Sequence, residues 1–248
     1  VFCGVCFMAE TASILCPDST VLLPAENAGC AMVEMAPVEA LRELKAEHPD
    51  ASVVTYVNSS AAMKAESDCC CTSANAAEVV RSMPDGKVIF LPDRNLGSYV
   101  RERTGRELIL FDAHCPTHAR IRPDDIERLR RARPDCEVMV HPECRPEVRR
   151  MADHVESTGG MCRRAAESEA PGMVVGTELG MVYRLRKDNP DKEFHIVSEA
   201  AICPDMKFID RRDIADSLRN MQHQVDVPRG VREGAETAVR RMVQVTGE

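Results

Sequence analysis

Short, continuously apolar runs of β-branched character alternate along this chain with amphipathic stretches of helical length. The runs are Ser52–Val57, Lys87–Leu91, Glu107–Phe111, Glu137–Val140, Gly172–Val175 and Glu193–Val197. Between and before them lie Pro37–Glu47, Asn75–Met83, Leu96–Thr104, Asp124–Arg133, Arg145–His154 and Leu179–Lys187. Strands that are apolar on both faces and separated by helices are the pattern of parallel sheets covered on both sides, so the chain is read as α/β. Asp210–Asn220 and Val227–Val245 read as terminal helices. The start differs. Residues 8–15 read as a helix already in progress, stopped by Cys16-Pro17-Asp18, and Thr20–Pro24 reads as a short buried strand. A domain that opens in mid-pattern predicts that an N-terminal part is missing.

Composition narrows the function classes. With 32 basic and 40 acidic residues the formal charge is −8, which argues against nucleic acid or an anionic membrane as partner. Six arginines gather in Arg120–Arg133, but three acidic residues and an apolar stripe of Ile126 and Leu129 make this a solvated helix face. Aromatic residues are 4% and Trp is absent, so base-stacking platforms are not expected. No stretch approaches a membrane-spanning helix, and the first ten residues lack the basic and apolar regions of a secretory leader. A reducing cytoplasm is inferred. There, twelve cysteines serve as core residues, metal ligands or nucleophiles rather than as a disulfide framework.

Chemistry is sought where the strands end, because open α/β sheets bind ligands beyond the carboxyl ends of their strands. Tyr56-Val57-Asn58-Ser59-Ser60, Thr72-Ser73-Ala74-Asn75 and Ser157-Thr158-Gly159-Gly160 each place hydroxyls or amides beside an expected helix start. Plain N-capping explains any one of them, whereas three together favour an anionic ligand. His141-Pro142-Glu143-Cys144 sets an imidazole and a carboxylate after the apolar run 138–140, a pair suited to proton transfer or to satisfying a loop backbone. Three cysteines stand in turn contexts: Cys30 after Ala28-Gly29, Cys115 before Pro116, and Cys203 before Pro204. They are separated by 85 and 88 residues, as homologous units each giving one thiolate would produce. Three convergent thiolates suit an iron–sulfur cluster with one open iron, while three core cysteines would give the same spacing by chance.

Together these segments resemble the quinolinate synthase family. The matching text runs from Phe7-Met8-Ala9-Glu10-Thr11-Ala12 through Leu91-Pro92-Asp93-Arg94-Asn95-Leu96-Gly97, Cys115-Pro116-Thr117-His118 and Val175-Gly176-Thr177-Glu178-Leu179-Gly180-Met181 to Cys203-Pro204-Asp205-Met206-Lys207, with the motifs above between them. The resemblance implies three αβα units with short parallel sheets around a pseudo-threefold axis: residues 36–118, residues 119–202, and an incomplete first unit of 1–35 with 203–248. It implies a 4Fe–4S cluster held by Cys30, Cys115 and Cys203, and condensation of iminoaspartate with dihydroxyacetone phosphate to quinolinate in NAD biosynthesis. Tyr56 and Asn58 would hold substrate, Ser73 and Thr158 phosphate or carboxylate oxygens, and His141 and Glu143 would move protons, with Tyr56 also counted among the catalytic groups. An aspartate oxidase or dehydrogenase would supply the iminoaspartate. Family members carry a further portion before Phe7, so Val21–Leu23 are expected to lack strand neighbours and to expose an apolar edge. The competing readings are an iron–sulfur redox or iron-sensing protein without turnover, and a cluster-free enzyme acting on a phosphorylated metabolite.

Overall fold

Apolar runs of three to five residues can be satisfied as strands only by pairing with one another, and in the two sheets of this protein they do so in parallel. The computed structural model describes residues 1–246. In chain order the first part is α1 (Cys6–Leu15), α2 (Ala31–Met35), α3 (Val38–Glu47), β1 (Ser52–Tyr56), α4 (Ala61–Ala65), β2 (Cys69–Cys71), α5 (Ala76–Ser82), β3 (Val88–Leu91), α6 (Arg94–Thr104) and β4 (Leu108–Leu110). The second part is α7 (Pro116–Ala119), α8 (Pro123–Ala132), β5 (Glu137–Val140), α9 (Pro146–Arg149), β6 (His154–Val155), α10 (Thr158–Glu167), β7 (Gly172–Gly176), α11 (Met181–Asp188) and β8 (Glu193–Ile196). A 3₁₀ turn at Asp205–Lys207, α12 (Arg211–Asn220) and α13 (Arg229–Thr246) complete the described chain. Two compact units result, one of Val1–Ala113 with the chain from Pro204 on, the other His114–Cys203.

Each unit holds one four-stranded parallel sheet, in the orders β2-β1-β3-β4 and β6-β5-β7-β8. The two orders are the same topology. In the first sheet Val53, Val54, Ile89, Phe90 and Leu91 are buried, as are Val138, Met139, Val140, Val174 and Val175 in the second. This double-sided burial is why these strands read as unbroken apolar runs.

The edge strands β2 and β6 have no such signature, and both were missed in the sequence. The stretch 145–154, expected to be one helix, is the short α9 followed by β6. An aspartate fastens each of these two strands. Asp68 Oδ2 accepts from Val53 N at 2.7 Å while Asp68 N donates to Val53 O at 3.0 Å. Asp153 repeats this with Val138 at 2.8 and 2.9 Å. These equivalents lie 85 residues apart.

The same repeat reaches the cysteines. Arg94 N donates to Ala113 O at 2.8 Å, and Leu179 N to Ala201 O at 2.9 Å. Cys6 N donates to Ala28 O at 2.7 Å. In each case the donor stands at or just before a helix start, and the accepting alanine precedes a cysteine by two residues: Cys115, Cys203 and Cys30. Among the described residues this strap-and-turn element therefore occurs three times.

The expected exposed edge at Val21–Leu23 is not found. Leu22 forms an antiparallel bridge with Gln224, Leu23 N donates to His223 O, and Val225 N to Val21 O. All three residues are buried, with Ala9 and Val225 against Val21 and Leu23. The expected strand shrinks to this bridge because its partner is the loop after α12, which offers only a few residues. Elsewhere in this unit α13 packs on α4, β2 and α5. Among the described residues no helix is long and apolar enough to cross a membrane.

Candidate functional site

In the first unit, β1 and β2 run parallel with Tyr56 opposite Cys71, so the loops that follow them leave from the same end of the sheet. One carries Tyr56, Asn58 and Ser60, the other Thr72, Ser73 and Asn75. Tyr56 is buried, and Asn58 and Ser73 are half-buried. Ser60 caps α4 by accepting from Met63 N at 3.2 Å. Asn75 closes its own loop by accepting from Thr72 N at 2.7 Å. The capping reading thus holds for Ser60, while Tyr56, Asn58 and Ser73 are left at the strand ends with roles to be assigned.

In the second unit β5 lies between β6 and β7, so the loop 141–144 is flanked by the loops after those strands. Thr158 stands at the first position of α10 and is exposed, behind Ser157, whose hydroxyl accepts from Gly160 N at 3.1 Å. The loop after β5 is held firmly. His141 N donates to Gly176 O at 3.0 Å, and the buried Arg149 donates to Cys144 O at 2.8 Å.

The side chains of this loop meet a residue to which the sequence reading gave no role. His118, on α7 three residues after Cys115, is buried with its Nδ1 2.9 Å from Glu143 Oε2 and 3.1 Å from Cys115 Sγ. Its Nε2 lies 2.9 Å from Thr177 Oγ1. Its ring stacks on that of His141, with centroids 4.7 Å apart and an interplanar angle of 27°. Glu143 and His141 are 3% and 4% exposed. Burial lowers the His141 pKa to about 4 against the pull of Glu143, so the ring is neutral at neutral pH. Glu143 N donates to His141 Nδ1 at 3.3 Å, which puts the His141 proton on Nε2. Cys115, His118 and Glu143 have donor atoms within 4.8 Å of one another, a spacing open to a metal ion. However, the 2.9 and 3.1 Å separations are hydrogen-bond distances. Tetrahedral bonds of about 2.0–2.3 Å would hold ligand atoms about 3.3–3.7 Å apart.

A family model described as "Quinolinate synthetase A protein" matches residues 1–244. The quinolinate synthase of Geotalea uraniireducens is 54% identical over 99% of this chain and 81% of its own length. Those of Geobacter metallireducens and Methanosarcina barkeri are 52% and 50% identical over the same shares. The chain belongs to the quinolinate synthetase A family.

Within this family member the repeat aligns the sequence-derived site residues. At the 85-residue offset that relates Val53 to Val138 and Asp68 to Asp153, Tyr56 corresponds to His141, Asn58 to Glu143 and Ser73 to Thr158. Asp93 corresponds to Glu178; Asp93 caps α6 through Leu96 N at 2.7 Å, and Glu178 accepts from Gly180 N at 2.7 Å. Glu178 also accepts from Cys203 N at 3.3 Å, which fixes the backbone of that cysteine. Cys30, Cys115 and Cys203 are each half-buried.

The cysteines of β2 differ. Cys69, Cys70 and Cys71 form the buried strand β2, and burial pushes the first two thiols up to about 11 and about 12. Such thiols are core residues, poorly suited to ligation or redox exchange. His118 and Thr177 were missed as site residues because His118 stands 59 residues from Thr177. The signal available was the quoted Cys115-Pro116-Thr117-His118 itself: an imidazole one helical turn after a turn-located cysteine.

Proposed function

We propose that this chain is a quinolinate synthase of NAD biosynthesis, condensing iminoaspartate with dihydroxyacetone phosphate to give quinolinate, phosphate and two waters. The observation that carries the reading is the repeat. The positions that hold Tyr56, Asn58 and Ser73 in one sheet hold His141, Glu143 and Thr158 in the other, and one half-buried cysteine follows each strap. An iron-sensing protein would not need this set of polar groups at the strand ends.

Cys30, Cys115 and Cys203 would hold the 4Fe–4S cluster. Soft thiolates in turns, none committed to a hydrophobic strand as Cys69–Cys71 are, fit that group. When bound, the cluster supplies a Lewis-acidic open iron for substrate oxygens and a departing hydroxyl. The protein side chains do the rest. Tyr56 and Asn58 offer a phenol and an amide to orient substrate. Ser73 and Thr158 offer hydroxyls to phosphate or carboxylate oxygens at helix starts. His141, neutral and with its proton on Nε2, donates a hydrogen bond there and keeps a carbonyl polarised. Glu143 takes and returns the protons that isomerisation, imine formation and dehydration require, from a buried position that keeps water away. An aspartate-oxidising enzyme supplies the iminoaspartate, and a reducing cytoplasm keeps the thiols ready as ligands.

The test is anaerobic purification followed by turnover. The full-length protein should be brown and form quinolinate. Glu143→Gln should keep its iron and sulfide but lose at least about a hundredfold in turnover, since it removes a proton carrier and no ligand. A colourless protein, or near-normal turnover in Glu143→Gln, would refute the assignment.

A further inference from the structure

We infer that Thr177 and His118 form a positioning relay that fixes the Glu143 carboxylate beside Cys115. The inference rests on the reading of Glu143 as proton carrier and adds two residues to it. The geometry sets the direction of the relay. Both ring nitrogens of His118 are engaged, Nε2 with Thr177 Oγ1 at 2.9 Å and Nδ1 with Glu143 Oε2 at 2.9 Å. A carboxylate only accepts, whereas a hydroxyl can donate. The arrangement that satisfies every atom therefore has the Thr177 hydroxyl donating to Nε2 and the Nδ1–H donating to Glu143. The Cys115 sulfur, 3.1 Å from the same nitrogen, shares that hydrogen. Stacking on His141 holds the ring plane. A base oriented by one group that is itself oriented by another is a recurrent way to keep a proton carrier aimed.

The internal repeat supplies a second, independent argument. The residue three places after the cysteine is His118 in one copy, Val33 in the second and Met206 in the third. The residue equivalent to Thr177 is Pro92. The strap-and-turn element therefore forms without an imidazole or a hydroxyl at these places, and the scaffold does not explain them. They come from two successive copies, His118 from the one that ends at Cys115 and Thr177 from the one that carries Glu143, and they meet only at that carboxylate.

The relay predicts a pattern that a structural role does not. In the full chain with its iron loaded, His118→Leu should lower kcat by about 10–100-fold, as loss of an orienting partner typically does, with KM changed less than about threefold. His118→Asn places an amide N–H where Nδ1–H stood and should recover most of that loss. Thr177→Val should lower kcat in the same way, and Thr177→Ser should restore it. Independently of turnover, the ring ¹⁵N shifts of His118 should show the proton on Nδ1 in the wild type and a tautomer mixture in Thr177→Val. A wild-type ring protonated on Nε2 would overturn the relay, as would His118→Leu at full turnover beside an inactive Glu143→Gln, or His118→Asn no better than His118→Leu. Full turnover in Glu143→Gln would instead remove the proton-carrier reading, and the ring tautomer would then decide the relay alone.

Discussion

An imidazole that stays neutral in the interior makes stability depend on pH in a definite direction. His141 has its pKa lowered to about 4 by burial, from an ordinary 6.5. As pH falls below about 6.5 the unfolded chain takes up this proton while the folded chain does not, so stability drops until the folded pKa is reached. The difference is worth about 3 kcal/mol in all, of which about 2 should be lost between pH 7 and pH 5. Urea midpoints of wild type and His141→Asn at those two pH values check this: the variant's midpoint should move less. At this scale the sequence showed the tyrosine, the asparagine, the serine and the histidine–glutamate pair as strand-end groups. It did not show that His118 links that pair to Cys115, because the partners Thr177 and Glu143 come from two later strand ends and only folding makes them neighbours.

At the scale of elements, the central strands and the edge strands β4 and β8 were legible in the sequence, and the edge strands β2 and β6 were not. β1, β3, β5 and β7 are buried on both faces and announce themselves as apolar runs, whereas β2 and β6 have three and two residues and lean on the Asp68 and Asp153 carboxylates. Where strands are this short, their spacing is decided by single atoms. Gly176 ends β7 directly opposite Val140, and a Cβ built on it would lie 2.7 Å from Val140 Cγ1 and 3.2 Å from Val140 Cβ. A β-branched neighbour inside a sheet has no spare rotamer with which to give way. Gly176→Ala should therefore push the two strands apart and cost about 1–3 kcal/mol. Because Gly176 O also accepts from His141 N, the same change should disturb the loop that carries Glu143. A lowered urea midpoint together with a lowered kcat is expected. An unchanged midpoint would mean the sheet can accommodate the methyl group.

Over the whole molecule the repeat sets Cys30, Cys115 and Cys203 apart from the strand cysteines Cys69–Cys71, and this gives the sharpest test of the assignment. The spacing of Cys30, Cys115 and Cys203 was visible in the sequence, but twelve cysteines allow many triples, so the spacing had no independent support there. The straps supply that support: the carbonyls of Ala28, Ala113 and Ala201 each accept from the start of a preceding helix, two residues before the cysteine. No such strap precedes Cys69–Cys71, whose backbone is committed to pairing with β1 and whose side chains are fully buried. In one class the backbone presents a half-buried thiol from a turn, and in the other the thiol fills a core. Serine at Cys30, Cys115 or Cys203 should each abolish most of the bound iron and sulfide after anaerobic reconstitution, with modest loss of stability. Cys70→Ala should bind iron as the wild type does, yet lose about 1 kcal/mol or more of stability, because it empties a buried site against Ala238 and Val239. Iron content and urea midpoint measured on the same four variants separate the classes. The assignment fails if iron follows Cys70, or if any one of the three turn cysteines can be replaced without loss of iron.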